Sequence, residues 1–369
     1  MDMNFNTPTK IIIGKNCVEN NAELFAKLGK RCVIVTGKNS ADTCGAFADV
    51  KKALDSVGVS FVRYNEICPN PTIASCREAA KLAKEEKVDF VVGIGGGSPL
   101  DAAKAVAALA SDPDMDEEKF YSSEFSSVLP VACIGTTAGT GSEVTPIGVI
   151  TGSDNCKRSI RADELYPAFC LGDAKYLMFM TDEITRYTAL DALCHCIESY
   201  FNRTSDEKSR DFAVKGAKIL SESLEKTGSG AELTYEDREL IYTASIYAGL
   251  AISTTGTAIP HALSYFISEA CGVPHGFACS MFLDDFVRHN IAYVPEIANE
   301  FFAATGMSEG KIKRLLKINN PPRRPVWLGD GTVDAILPRY ENHKNFQKSY
   351  GRNDIEVARK FLLRITRIG

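Results

Sequence analysis

The chain lacks any excess of positive charge: 42 Lys and Arg residues are outnumbered by 47 Asp and Glu, for a net charge of −5 at pH 7. Without a basic stripe, nothing in the composition invites nucleic acid or an anionic membrane surface. Long apolar runs are also missing. Lys, Asp, Gly or Pro interrupts every candidate before it reaches the roughly 20 residues that a membrane helix needs. The opening segment, Met-Asp-Met-Asn-Phe-Asn-Thr-Pro, has neither the basic region nor the apolar stretch of an export signal. Cysteine is plentiful, at 12 residues, yet no Cys-x-x-Cys pair occurs. Several cysteines sit in apolar runs, as at Cys32, Cys133 and Cys170, which fits buried free thiols rather than bridges. The expectation is a cytoplasmic protein with neither membrane nor nucleic-acid partner.

What is present is ordinary globular material: 369 residues, 45% hydrophobic and 24% charged, enough for two domains with a large buried core. In the first half, short β-branched runs alternate with amphipathic stretches. Strands are expected at Lys10–Gly14, Cys32–Gly37, Ser60–Asn65, Asp89–Gly93 and Val128–Gly135, and helices at Val50–Val57, Pro71–Glu86 and Ser98–Leu109. That alternation predicts an α/β domain with a parallel sheet covered on both faces. From about residue 181 the spacing turns helical, over Thr181–Phe201, Asp206–Leu224, Tyr235–Ser253, His261–Glu269 and Phe277–Asn290. The expected division is therefore an α/β dinucleotide-binding domain over residues 1–180 and an all-helical metal-binding domain over 181–369. Beyond Asn290 the sequence is polar, with Pro321, Pro322 and Pro325 as breaks, and the basic stretch Lys311–Arg324 reads as a solvated helix face.

Two motifs carry chemistry. The first is Gly93-Ile-Gly95-Gly96-Gly97-Ser98-Pro99-Leu-Asp101, which follows an apolar strand and opens a helix. Glycines there let a ligand approach the backbone, and the helix start offers free N–H groups to a pyrophosphate. Ser98 is expected as the helix N-cap, with Pro99 at the first helical position and Asp101 completing a capping-box-like pair. The motif differs from the strict dinucleotide fingerprint, which has glycine where Ser98 stands and belongs to the first strand. A second small-residue loop, Gly135-Thr136-Thr137-Ala-Gly-Thr-Gly-Ser142-Glu143, follows the next strong strand and could line the far end of a cofactor.

The second motif is a set of histidines. Asp191 and His195 stand four apart in a helical stretch and so share one face. His261 follows Pro260 and His275 follows Pro274, each at the start of a further helical run. One carboxylate and three imidazoles form an oxygen and nitrogen set suited to Fe2+ or Zn2+. Cys194 and Cys196 flank His195 but point away from its face, and read as packing residues. Glu198, one turn beyond His195, could orient that histidine from behind or be a surface carboxylate. His289 and His343 are assigned to structure or surface.

These motifs, with Phe5–Gly14, Asn70-Pro71-Thr72, Lys104 and Pro274-His275-Gly276, resemble over essentially the whole chain the iron-containing (group III) alcohol dehydrogenases, of the butanol-dehydrogenase-like kind. The resemblance implies an N-terminal α/β dinucleotide-binding domain, a helical C-terminal domain, and hydride transfer between NAD(P)H and a small aldehyde or ketone. It implies Asp191, His195, His261 and His275 as metal ligands. It puts the cofactor against Gly95, Gly96, Gly97, Ser98 and Asp101, with Thr136, Thr137 and Ser142 along the nucleotide path and Lys157 as the family's lysine after the next strand. Relatives are commonly homodimers, and a homodimer is expected here.

Three departures from the family pattern bear on function. Many members carry an Asp after the second strand that binds the adenosine ribose; here the strand ends Thr36-Gly37-Lys38-Asn39-Ser40, with no carboxylate. Gly37, Lys38 and Ser40 would leave room, charge and a donor for a 2′-phosphate, so NADP(H) is expected over NAD(H). The segment before His261 reads Ser-Thr-Thr-Gly-Thr-Ala-Ile-Pro where many relatives have an Asn-Ala-Gly-Leu-Gly run. Third, relatives often place a histidine four residues after the ligand matching His261; here it is Tyr265, either a pocket wall or a participant in proton relay. Within the same fold, zinc-dependent polyol dehydrogenases and dehydroquinate synthase-like lyases are the alternative readings, and a metal-stabilised binding protein is the non-enzymatic one.

Overall fold

The computed structural model describes residues 7–320, 331–341, 343–351 and 354–366. The prolines 321, 322 and 325, the end of the basic stretch and Phe5 lie outside the described residues. The chain separates into two compact units, Met1–Met180 and Thr181–Gly369.

The first unit runs β1 (Lys10–Ile13), α1 (Cys17–Asn20), α2 (Glu23–Leu28), β2 (Arg31–Gly37), α3 (Ser40–Thr43), α4 (Ala46–Ser56), β3 (Ser60–Ile67), α5 (Ile73–Glu85), β4 (Phe90–Gly95), α6 (Gly97–Leu109) and α7 (Glu117–Tyr121). It then continues through β5 (Val131–Gly135), β6 (Ile147–Thr151), β7 (Lys157–Arg161) and β8 (Phe169–Gly172). Six strands form one all-parallel sheet in the order β1-β8-β5-β4-β2-β3. The buried strands explain themselves: β4 and β5 are buried at every residue, as continuous apolar runs in a doubly covered parallel sheet must be. From β2 the chain leaves towards β3, and from β4 it leaves the other way towards β5. The carboxyl ends of β2 and β4 therefore flank a topological switch point, where α/β sheets bind ligands.

Three strands of this unit were not expected from the sequence, nor were the short helices α1, α2, α3 and α7. β6 and β7 form a separate antiparallel hairpin, and β8 inserts between β1 and β5. β7 is Lys-Arg-Ser-Ile-Arg with only Ile160 buried, a weak strand signal, and in β6 Gly148 interrupts an otherwise β-branched run. The expected cap on α6 is also corrected. Its N-cap is Gly96 with no side-chain hydrogen bond, and Ser98 lies inside the first turn. Asp101 does not serve the helix start, because its carboxylate accepts from Ser142 Oγ at 2.6 Å and from the Val149 N–H at 3.0 Å.

The second unit is helical: α8 (Asp182–Tyr200), α9 (Glu207–Gly228), α10 (Tyr235–Thr255), α11 (Ile259–Cys271), α12 (His275–Ser280), α13 (Leu283–Tyr293), α14 (Pro295–Thr305) and α15 (Glu309–Asn319). Two short pieces follow it, α16 (Thr332–Ile336) and α17 (Lys344–Gln347), then the longer α18 (Ile355–Thr366). α8, α9 and α10 pack on one another, and α12 lies against α8. Local sequence sets the boundaries. Asp206 and Thr234 each form a capping box at the starts of α9 and α10. The expected single helix Phe277–Asn290 is in fact two, α12 and α13, parted near Met281 and Phe282. Apolar side chains run through the break, so periodicity alone hides it. Among the described residues no strand follows Thr181; Asn202 and Ser349 make an isolated bridge.

Candidate functional site

The helical unit builds a centre around α8. Every residue from Ala189 to Tyr200 is buried, and Asp191, His195 and Glu198, spaced by four and three, fall on one face of that buried helix. α11 delivers His261 from its first turn, just after Pro260. It ends at Gly272, whose φ of 63° is left-handed, and the chain re-enters α12 at His275. Gly276 then governs the approach: a Cβ there would lie 2.0 Å from the Tyr187 carbonyl oxygen and 3.0 Å from Asp191 Cβ. Only glycine lets α12 close on α8 and set His275 beside Asp191.

The side chains converge. His261 Nε2 stands 3.4 Å from Asp191 Oδ1, and His275 Nε2 stands 3.8 Å from the same oxygen. The His195 ring stacks on His261 with centroids 4.5 Å apart and planes at 20°. Tyr265, one turn beyond His261, stacks on His275 at 5.6 Å with planes at 10°. Ligand atoms of Asp191, His261, His275 and Cys279 all lie within 4.8 Å of one another. Burial would raise the Asp191 carboxyl, but the charges of His195 and His275 and the contact with His261 prevail and hold it below the ordinary carboxylate range.

These residues fit a divalent cation. Asp191 Oδ1 and His261 Nε2 are buried and have no hydrogen-bond partner, an expensive state for polar atoms unless something else satisfies them. Behind His261 stands Glu198, fully buried, with Oε1 at 2.5 Å from Nδ1 and Oε2 accepting the Ala258 N–H at 2.6 Å. Glu198 thus orients His261. The carboxylate holds the proton on Nδ1 and turns the Nε2 lone pair inward, the arrangement that metal-binding histidines use.

Cys279 was missed at the sequence level although a signal existed, since it stands four residues from His275 as His195 does from Asp191. Cys196 packs on α9 near Gly216, in keeping with its assignment to packing. His289 Nε2 donates to the Tyr350 carbonyl oxygen at 2.7 Å, and so is structural.

In the first unit, the loops after β4 and β5 meet. Gly95 has a φ of 152°, and its carbonyl accepts the Thr136 N–H at 2.9 Å. A Cβ on Gly96 would come within 2.9 Å of Thr137 Oγ1, and one on Gly97 within 2.7 Å of the Thr140 methyl. The glycines are thus required by loop packing as well as by any ligand. They leave the start of the 13-residue α6 without a side-chain cap, a ready site for a phosphate. Ser98 Oγ accepts the Asn70 N–H at 3.3 Å. Beneath the loop, fully buried Lys104 donates to the Ser142 carbonyl and hydroxyl at 2.7 and 2.8 Å and to the Ile147 carbonyl at 2.7 Å. Burial pushes the Asp101 carboxyl up and the Lys104 ammonium down, each partly offset by the other. The side chains of Asp101 and Ser142 are therefore engaged in fixing the loop.

At the end of β2, Gly37 leads to exposed Lys38, which pairs with Glu66 at 3.1 Å. Ser40, exposed, opens α3. The next carboxylate, Asp42, is held by Arg63 at 2.5 and 2.9 Å. Lys157 begins β7, paired in register with Thr151.

A family model described as iron-containing alcohol dehydrogenase matches residues 8–174, and one described as Fe-containing alcohol dehydrogenase family, C-terminal, matches residues 185–316. Alcohol dehydrogenase 4 of Saccharomyces cerevisiae is 30% identical over 352 residues, covering 92% of each chain. Among solved structures, an iron-containing alcohol dehydrogenase superposes with a TM-score of 0.90 at 32% identity, covering 98% of both chains. An iron-containing alcohol dehydrogenase from Thermotoga maritima gives 0.89 at 33%, again over 98% of both.

Proposed function

Since the chain belongs to the iron-containing alcohol dehydrogenase family, and so is an alcohol oxidoreductase that uses a metal and a nicotinamide cofactor, we propose that Asp191, His195, His261 and His275 hold the metal. The loop Gly95–Ser98, with Thr136 and Thr137 beside it, takes the nucleotide together with Lys157, and Asp101 and Ser142 act through the position of that loop. The substrate is a small alcohol or its aldehyde or ketone. The observation that carries the reading is the pair of buried, unsatisfied ligand atoms, Asp191 Oδ1 and His261 Nε2.

When bound, the ion would supply Lewis acidity at the substrate oxygen while the nicotinamide gives or takes the hydride. The chain's own work is positioning. Glu198 fixes the tautomer and plane of His261, and Tyr265 fixes the plane of His275 by stacking. Burial pushes the Tyr265 hydroxyl up to about 12, so it stays a neutral donor at pH 7 and can hand a proton towards the substrate oxygen. The N–H groups at the start of α6 would anchor the pyrophosphate and thereby the reactive ring.

At the end of β2, Gly37, Lys38 and Ser40 favour NADP(H), because no free carboxylate stands there to repel a 2′-phosphate. None of the twelve cysteines, all of them among the described residues, is in a disulfide, which suits a reducing cytoplasm. A panel of short aldehydes with NADPH and NADH, run on protein reconstituted separately with Fe2+ and Zn2+, tests the activity. Metal-dependent cofactor oxidation, lost in His261→Ala, is expected. Full turnover by chelator-treated His261→Ala protein would overturn the assignment.

A further inference from the structure

Cys279 is fully buried on α12, one turn from His275, and its Sγ lies 3.6 Å from His275 Nε2. We propose that Cys279 is a further donor to the ion held by Asp191, His261 and His275, and that its thiolate biases the centre towards thiophilic ions such as Zn2+ and Co2+ over Fe2+ and Mn2+. The inference rests on the metal-site reading above and adds a ligand to it.

The distances support a shared ion. For two ligands of one ion set about 109° apart, with metal–sulfur and metal–nitrogen bonds of about 2.3 and 2.05 Å, sulfur and nitrogen sit about 3.6 Å apart, and nitrogen and oxygen about 3.4 Å. The sulfur to His275 separation is 3.6 Å, and the His261 to Asp191 separation is 3.4 Å. Two members of this same set, Asp191 Oδ1 and His261 Nε2, are among the buried atoms that lack a hydrogen-bond partner, and their side chains are 6% and 3% exposed. The sulfur therefore faces a place that already calls for a cation. His275 and Cys279 are four apart on α12, so they reach that place from one helix face.

The chemistry follows from ligand softness. Carboxylate and imidazole alone accept iron or zinc, whereas a thiolate favours the softer ion. On binding, the S–H bond is replaced by a metal–sulfur bond and the proton leaves to solvent, with no change of oxidation state. A harder ion leaves Cys279 protonated beside the site.

Cobalt reports both parts of the claim. Metal-free protein is titrated with Co2+ and followed by absorption: visible ligand-field bands register the ion in the site, and a near-ultraviolet charge-transfer band registers sulfur bound to it. Both are expected in the unaltered protein. In Cys279→Ser the near-ultraviolet band should vanish while the visible bands persist, and the preference for Zn2+ over Fe2+ in competition should shrink. Visible bands without the sulfur band in the unaltered protein, or a sulfur band that survives Cys279→Ser, would overturn the role of Cys279 and leave the metal centre standing. Absence of all bands would overturn the metal centre itself, and the proposal with it.

Discussion

The Glu198 carboxylate meets the His261 imidazole at 2.5 Å from Nδ1, with both side chains buried. Glu198 binds no ligand position itself, yet it fixes which histidine nitrogen carries a lone pair into the centre. Its second oxygen holds the Ala258 N–H, before the first turn of α11, so one carboxylate sets both the ring and the helix that bears it. Glu198→Gln should therefore weaken metal affinity by about 10- to 100-fold, read by competition with a chelator. An unchanged affinity would show that the carboxylate is dispensable to the centre.

Gly276 allows α12 to reach α8. Gly276→Ala would force a methyl group onto the Tyr187 carbonyl, only 2.0 Å from the ideal Cβ, so the helix must shift. A destabilisation of about 1–3 kcal/mol is expected from overpacking, with loss of bound metal because His275 moves with the helix. Denaturant unfolding together with metal content checks both. Retained metal at native stoichiometry would show that His275 is placed by something other than this contact.

Lys104 and Asp101 are oppositely charged groups desolvated together beneath the loop after β5. Lys104→Met removes a buried cation and leaves the carboxylate uncompensated, which should destabilise the protein by about 3–5 kcal/mol. The double variant Lys104→Met/Asp101→Asn should lose much less than the sum of its two single changes. Additive losses in a double-mutant cycle would mean that the two groups act independently.

The proposed preference for NADP(H) rests on Lys38. NADPH should give the higher kcat/KM, and Lys38→Ala should lower that value several-fold for NADPH with little change for NADH. Glu66, which now shares the Lys38 ammonium at 3.1 Å, competes with a phosphate for it, so Glu66→Gln should raise the NADPH value. Because these groups are exposed, the effects should fade as salt increases. Equal or NADH-favouring constants in the unaltered protein would contradict the assignment.

Much of this architecture is legible in the sequence where a single period dominates. β2, β4 and β5 are apolar runs, and α8 to α10 keep helical spacing over 19, 22 and 21 residues, so their types are plain. Features that depend on a distant partner are not. The hairpin of β6 and β7 stands apart from the main sheet, with β6 held against Asp101 and Lys104 of α6 and β7 largely exposed, and β8 is four residues long and becomes a strand by fitting between β1 and β5. The proposed metal ligands are visible as a pattern, because Asp191 and His195 share a helix face. Glu198 is legible only as a neighbour of His195, since its approach to His261 requires α11 to cross near α8. Cys279 sits at the same helical interval from His275, but a cysteine in an apolar run reads as packing until the fold sets it against Asp191.

The central claim is that the carboxylate of Asp191 and the imidazoles of His195, His261 and His275 hold one divalent ion. Anomalous diffraction from crystals of Zn2+-loaded protein, collected at the metal edge, measures this directly. The account predicts one strong peak in the helical unit, within about 2.0–2.2 Å of the Asp191 oxygen and of the histidine nitrogens. No peak there, or a peak held by other residues while these four side chains remain unoccupied, would contradict it.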